Sequence, residues 1–269
     1  MKINESYLFL AFGRSYISDC LDFIETKKHF NDERPVNIIV SPEDYDFAIS
    51  LNEFNTVYSY NVQDHCLFNY CKTNFEKYCL LPRLELDKFL NTEYTIVLDT
   101  DILYGFSADK VWNYFKSIDQ DFIMIGSDHN PHWHWGRWGE ICQNNNINCF
   151  ETHGGLFFLK KTESIINIFN TARYCFENYD SLGMDRKYQG GAVDEACFAY
   201  AFSKNNIKPI NFGAFPIMTF NLSHQDEVPT KKLTEIMQQK TMDDFIPFIH
   251  MFEKNNSFNF LEIKKKILK

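Results

Sequence analysis

The chain has 269 residues, enough for one large α/β domain or two small ones with a sizeable core. Its 45% hydrophobic and 17% aromatic content excludes general disorder, and a net charge of -9, from 27 Lys+Arg against 36 Asp+Glu, argues against non-specific attraction to nucleic acid. No apolar run approaches the ~20 residues of a membrane span, and Met1 to Ser6 lacks the head of a signal peptide, so a cytoplasmic location is the expectation. The eight cysteines contain no Cys-x-x-Cys pair, and several sit in apolar periodic segments, as buried free thiols do.

Tyr7 to Gly13 is a continuous apolar run closed by Gly, the pattern of a buried parallel strand. A helix follows to about Phe30, with Ile17, Cys20, Leu21 and Ile24 at helical spacing. This strand-Gly-helix opening beside a lone Arg suits a nucleotide phosphate or ribose, so Phe12, Gly13 and Arg14 are candidate nucleotide contacts. Val36–Val40 and Thr56–Tyr60 are further strands, separated by a helix start at Ser41-Pro42. From Cys66 to Leu90 the apolar residues keep helical spacing, interrupted at Pro82. Arg83, on the second piece, is either a solvated helix residue or the partner of a phosphate or carboxylate.

Tyr94 to Tyr104 reads as one buried strand whose carboxyl end presents Asp99-Thr100-Asp101. Side chains at i and i+2 of an extended segment point the same way, so Asp99 and Asp101 can converge on one cation such as Mg²⁺ or Mn²⁺. The alternative is a strand ending in ordinary polar turn residues. A helix over 108–118 and a strand Phe122–Gly126 continue the alternation, which predicts a mostly parallel sheet flanked by helices in a single domain, with ligands beyond the carboxyl ends of its strands.

Three of the four tryptophans then fall within six residues, Trp133, Trp135 and Trp138, interleaved with His132, His134 and Arg137. Such a run can plug a core, but Gly and Pro around it favour a loop whose aromatics, with His132 and His134, contact the acceptor. Paired glycines in His153-Gly154-Gly155 open an apolar strand to Lys160 and indicate close backbone approach to another strand or a ligand. A helix follows from Thr162 to about Asn178, and Gln189-Gly190-Gly191 opens another that carries Asp194 and Glu195 in its first turns. The helix dipole favours acids there, yet one must sit near the packed face. Phe245 to Asn256 is strand-like, with His250 and Lys254 near its end, and the chain closes on the basic Lys264-Lys265-Lys266, read as a solvated helix end.

Together the Asp99-Thr100-Asp101 strand end, His153-Gly154-Gly155-Leu156-Phe157-Phe158, Ala192-Val193-Asp194-Glu195 and His250-Met251-Phe252-Glu253-Lys254 resemble the GT-A fold glycosyltransferases of the glycogenin and bacterial galactosyltransferase branch. The resemblance spans Tyr7 to Lys254. It implies a domain over 1–254, with a nucleotide-binding half over 1–127, an acceptor and metal half over 128–254, and a basic tail over 255–269. It further implies that Asp99, Asp101 and His250 ligate Mn²⁺ or Mg²⁺, and that Arg83, Asp99, Thr100 and Lys254 hold the nucleotide of a UDP-sugar. His153, Gly154 and Gly155 would line the sugar and acceptor side, and Asp194 or Glu195 would serve as nucleophile, base or hydrogen-bond acceptor.

His153 stands where relatives often carry Asn or Asp, and Met251-Phe252-Glu253 where they often carry a Gly-x-x-Lys pattern. Transfer to a glycan or lipid-linked acceptor, with retention at the sugar carbon, is the expected reaction. The three terminal lysines leave a weak electrostatic contact with a membrane open. Two competing readings are a non-catalytic sugar- or nucleotide-binding module of the same fold and an aspartyl-phosphate phosphatase, whose motif wants Thr or Val where this chain has Leu103.

Overall fold

The structure is a computed structural model that describes residues 4–105, 109–133, 137–186, 189–211, 217–221, 248–252 and 258–268. Its centre is a seven-stranded sheet in the order β3-β2-β1-β4-β7-β6-β8, built from β1 (Glu5–Leu10), β2 (Val36–Val40), β3 (Thr56–Ser59), β4 (Tyr94–Leu98), β6 (Phe122–Ser127), β7 (Glu151–Lys160) and β8 (Ile210–Asn211). β1, β2, β3 and β4 run parallel, β7 is antiparallel to both β4 and β6, and β8 is parallel to β6. The sheet is therefore mostly parallel, as its apolar runs predict. The halves 1–127 and 128–254 share it, because β7 inserts between β4 and β6.

Both faces of the sheet are covered, which is why its strands are apolar without alternation. Along β1, Leu8 enters one core cluster while Tyr7 and Phe9 enter the other. One face carries α6 (Glu163–Glu177) and α7 (Asp194–Asn205), whose Phe169, Phe198 and Phe202 pack around Phe122 of β6. The opposite face carries α1 (Arg14–His29) and α4 (Asp109–Ser117), with Phe23 and Trp112 against Tyr7. Each aromatic so buried contributes about 1.5–3 kcal/mol. The smaller helices α2 (Tyr45–Ser50), α3 (Leu81–Arg83) and α5 (Trp138–Asn145) lie between strands, and α8 (Phe258–Ile267) follows the last described strand.

Three sequence expectations are corrected. Tyr94 to Tyr104 is not one strand: β4 ends at Leu98, Asp99-Thr100-Asp101 turns, and β5 (Ile102–Tyr104) joins a second sheet in the order β5-β10-β9 with β9 (Ile217–Asn221) and β10 (Phe248–Phe252). The turn is closed by the Ile102 N–H donating to the Asp99 carbonyl at 3.3 Å, and β5 is held away from the first sheet by the Tyr104 N–H donating to Thr26 Oγ1 on α1 at 3.1 Å. The span from Cys66 to Leu90 is a series of short 3-10 turns, a π-helical turn at Glu76–Leu80, and α3, because Pro82 denies a backbone donor. Lys264 of α8 is not solvated but pairs with Asp22 at 2.6 Å and Glu25 at 2.5 Å on α1.

All eight cysteines are free thiols, among which Cys20, Cys142, Cys175 and Cys197 are buried while Cys66 and Cys79 are exposed. Among the described residues no helix is long and apolar enough to cross a membrane.

Candidate functional site

The carboxyl ends of β1 and β4 lie side by side, with Phe9 opposite Leu98, and open on a small cleft lined by Leu10, Arg83, Asp99, Gly155 and Phe157. Arg83 is the hub of this cleft. Its Nη1 donates to Asp194 Oδ2 at 2.6 Å, its Nη2 donates to Asp99 Oδ1, and its guanidinium lies 5.9 Å from the centre of the Phe157 ring. The two carboxylates hold its proton more firmly than usual against the opposing effect of burial. Of the alternatives open for Arg83 in the sequence, carboxylate pairing is the one observed.

The paired glycines explain how the third carboxylate arrives. Along β7 the pairing with β6 jumps from Phe157 opposite Met124 to His153 opposite Ile125, so Gly154, Gly155 and Leu156 bulge out of that ladder. Gly155 adopts φ 70, a conformation a side chain would resist, and its carbonyl accepts the Asp99 N–H at 3.1 Å. The bulge aims the Gly154 N–H at Glu195 Oε1, 3.0 Å away, while Thr152 Oγ1 donates to the Glu195 carbonyl at 2.8 Å. A methyl on Gly154 would lie 3.1 Å from Arg83 Nη1 and 3.3 Å from Asp194 Oδ2, so backbone and ion pair are in near contact.

Asp194 and Glu195 are the first two residues of α7. Burial, and secondarily the charge of Asp194, push the Glu195 carboxyl up to about 7, partly offset by the Gly154 N–H and Arg83. Glu195 is thus a group able to hold or release a proton near neutrality. His153 sits beside it, its Nε2 2.6 Å from Glu151 Oε1 and its Nδ1 3.9 Å from Glu195 Oε1. Asn130 Nδ2 donates to the other Glu151 oxygen at 2.7 Å.

Two supporting residues escaped the sequence reading. Glu76, fully buried, accepts N–H groups from Lys72 at 2.5 Å, Thr73 at 2.9 Å and Ala192 at 2.8 Å, and pairs with Arg186, so it anchors the segment that delivers Asp194. The Thr73-x-x-Glu76 capping-box pattern was the available signal: the Glu76 N–H donates back to Thr73 Oγ1 at 3.2 Å. For Glu151 the available signal was its i, i+2 spacing to His153 on one strand, while its second partner, Asn130, comes from a distant loop.

The remaining candidates are dispersed. Arg14 is exposed, 3.8 Å from Asp44 and over the Phe47 ring, and the Gly13 N–H donates to Asp44 Oδ2 at 2.9 Å. Phe12 packs on Tyr60 and Tyr78. Thr100 and Asp101 lie on the turn after β4. In the tryptophan segment His132 is exposed, whereas Trp133 is only 3% exposed and meets Trp138 edge-on at 5.8 Å and His153 at 6.4 Å. Trp133 is a packing residue behind His153 rather than an open stacking surface. His134, Trp135 and Lys254 lie outside the described residues, as does the side chain of His250.

Among the described residues no three His, Cys, Asp or Glu side chains converge as a metal cluster. The residues present are nonetheless compatible with a divalent ion. Asp99 and Asp101 share one tight turn, and the register of β10 puts the backbone of His250 opposite Ile102, next to Asp101. Two carboxylates and an imidazole make a donor set suited to Mn²⁺ or Mg²⁺.

No protein-family model and no curated protein sequence matches the chain. Solved structures do match. The galactosyltransferase LgtC, in complex with donor and acceptor sugar analogs, superposes with a TM-score of 0.59 at 14% identity, over 97% of this chain and 95% of that one. Mouse xyloside xylosyltransferase 1 gives 0.56 at 9% identity, over 92% and 97%. The glycosyltransferase GlyE of Streptococcus pneumoniae TIGR4 gives 0.54 at 11% identity, over 98% of this chain and 61% of that one. The chain has the fold of the GT-A glycosyltransferases.

Proposed function

We propose that the protein is a transferase that moves a sugar from a nucleotide-sugar donor, a UDP-sugar, to a hydroxyl of a glycan or lipid-linked acceptor in the cytoplasm, with retention at the sugar carbon. The observation that carries this reading is the Arg83 bridge, which joins Asp99 at the end of β4 to Asp194 at the start of α7. One end of the bridge belongs to the nucleotide side of an α/β sheet, beyond the carboxyl ends of its strands. The other adjoins Glu195 and the Gly154 N–H, where polar groups would meet sugar hydroxyls.

Asp99, Asp101 and His250 would hold Mn²⁺ or Mg²⁺, with Lys254 close to the diphosphate. A divalent ion so held neutralises the charge that develops on the departing diphosphate, and lets a chain of net charge -9 accept an anionic donor. Asp99 also orients the ribose. Arg83 fixes Asp194, and Asp194 and Glu195 present oxygens to the transferred sugar, holding it in one orientation while the acceptor enters. Thr100, Phe12, Gly13 and Arg14 complete the nucleotide side; His132, His153 and Gly155 complete the acceptor side.

Incubation with a panel of nucleotide sugars and Mn²⁺ tests the reading. Donor turnover that EDTA abolishes, with product anomers matching the donor by NMR, supports it. Nucleotide binding without turnover of any donor would leave a binding module instead.

A further inference from the structure

We propose that Glu85 is a positioning residue for Arg83, fastening the turn that aims its guanidinium at Asp99 and Asp194; its consequence for the donor rests on the glycosyl-transfer reading above. Arg83 closes α3, a helix of three residues, and a single turn is too short to hold its own conformation. The direction of the arginine is therefore set by what grips the residues beside it. After Arg83, the Leu84 and Glu85 N–H groups close back on the Leu81 and Pro82 carbonyls at 3.1 and 3.2 Å. Leu84 is fully buried, and its carbonyl accepts Arg173 Nη1 of α6 at 2.6 Å.

Glu85 adds a side-chain grip. Its carboxylate, 8% exposed, accepts the Tyr60 hydroxyl at 2.9 Å and pairs with Lys88. The wholly buried ring of His65 brings Nε2 within 3.5 Å of the oxygen that Lys88 holds. The Leu67 N–H donates to His65 Nδ1 at 2.9 Å, so the ring is neutral and its hydrogen lies on the nitrogen facing Glu85; burial favours the same state. Tyr60 follows β3, its N–H donating to the Val40 carbonyl of β2 at 2.9 Å and its ring meeting Phe12 edge-on at 6.2 Å.

One carboxylate thus joins the Arg83 turn to the carboxyl ends of β2 and β3 and, through the Tyr60 ring, to Phe12. Burying a carboxylate is costly unless its oxygens are partnered. What these partners supply is direction, which an apolar side chain in the same place would not. With Glu85 loosened, Arg83 keeps its charge, but its planar fork no longer meets both carboxylates, and Asp99 loses its fixed orientation toward the nucleotide.

Two measurements on the full chain test this. Arginine-selective ¹⁵N spectra without substrate read the fork directly, with Arg83 assigned by the signals lost in Arg83→Lys. Separate Nη signals are expected in the wild type, because a guanidinium bound to two carboxylates does not rotate freely, and one averaged signal in Glu85→Gln. Tyr60→Phe keeps the ring and drops only the hydroxyl; it should average the signals in part, and it decides the matter should Glu85→Gln not fold. An averaged signal in the wild type, or separate signals that persist in both variants, overturns the positioning role.

Calorimetry with UDP and Mn²⁺ reads the consequence. Glu85→Gln is expected to weaken UDP binding about tenfold in the wild-type background and less than about twofold in Arg83→Lys, as for two residues that act through one contact. An equal loss in both backgrounds would show that Glu85 acts without Arg83 and would overturn the proposal. A wild type that binds no UDP would overturn the donor reading and the consequence for UDP with it. The arginine spectra would still decide whether Glu85 holds Arg83.

Discussion

Arg83 donates to Asp194 at 2.6 Å across 111 positions of chain, tying the segment before β4 to the start of α7. Because its second nitrogen is committed to Asp99, a substitution there uncouples two carboxylates at once. Arg83→Met is expected to destabilise the protein by about 2–3 kcal/mol, the range for charged hydrogen bonds left unmade, read as a shift in the urea midpoint. Arg83→Lys keeps the charge but not the planar fork, so it should recover part of the stability while UDP affinity stays low. Equal UDP affinity in Lys and wild-type proteins would show that the fork geometry is irrelevant.

Two glycines separate site strain from fold strain. A methyl on Gly126 would fall 1.8 Å from the Glu151 carbonyl oxygen, a backbone atom inside the β6–β7 ladder that cannot yield. Gly126→Ala is therefore expected to cost about 3 kcal/mol or more. On Gly154 the neighbours at 3.1 and 3.3 Å are side-chain ends, which can give. Gly154→Ala should lose less than about 1 kcal/mol yet reduce donor turnover tenfold or more, on the order expected when reacting groups are displaced by a fraction of an ångström. Thermal melts and initial rates of the two variants check the contrast.

The central strands and long helices were legible in the sequence because both sheet faces are covered: Tyr7 to Gly13 and Phe122 to Gly126 are apolar without alternation for that reason, as is Val36 to Val40 apart from Asn37. The turn at Asp99 was legible only as the alternative of a strand ending in polar turn residues, and that the apolar residues beyond it join a different sheet was not, since no Gly or Pro marks the change. Trp133 and Trp138 looked like a surface loop from their glycines and proline, yet they pack on each other, because burying two indoles outweighs local turn chemistry. The carboxylates of the site could be named from sequence. Their shared partner Arg83 could only be suspected, since nothing local distinguishes a helix arginine that is solvated from one that is paired across the fold.

Asp101 sits on the turn closed by the Ile102 N–H, one residue before Ile102, whose backbone lies opposite His250 in the β10 register. If this turn holds the ion, Asp101→Ala should weaken Mn²⁺ binding, measured by electron paramagnetic resonance, and lower donor turnover by about 10²-fold or more, the scale of losing several kcal/mol of charge stabilisation. Far-ultraviolet circular dichroism should not change. Wild-type Mn²⁺ affinity in the variant would remove Asp101 from the ligand set.

Glu195 offers a test that needs no substrate. Burial and the Asp194 charge raise its carboxyl from an ordinary 4.5 to about 7 in the folded protein. Below about pH 4 it is protonated folded or unfolded, and stability is unaffected. Between the two values the folded state holds a proton that the unfolded state releases, so stability falls as pH rises, and above 7 the loss is complete at about 3 kcal/mol. Glu195→Gln keeps an oxygen for the Gly154 N–H but cannot ionise. Its urea midpoint should match the wild type at pH 4 and exceed it increasingly toward pH 8, by the equivalent of about 3 kcal/mol. A difference that stays constant with pH would mean that the carboxylate is no harder to ionise in the folded protein than in the unfolded chain.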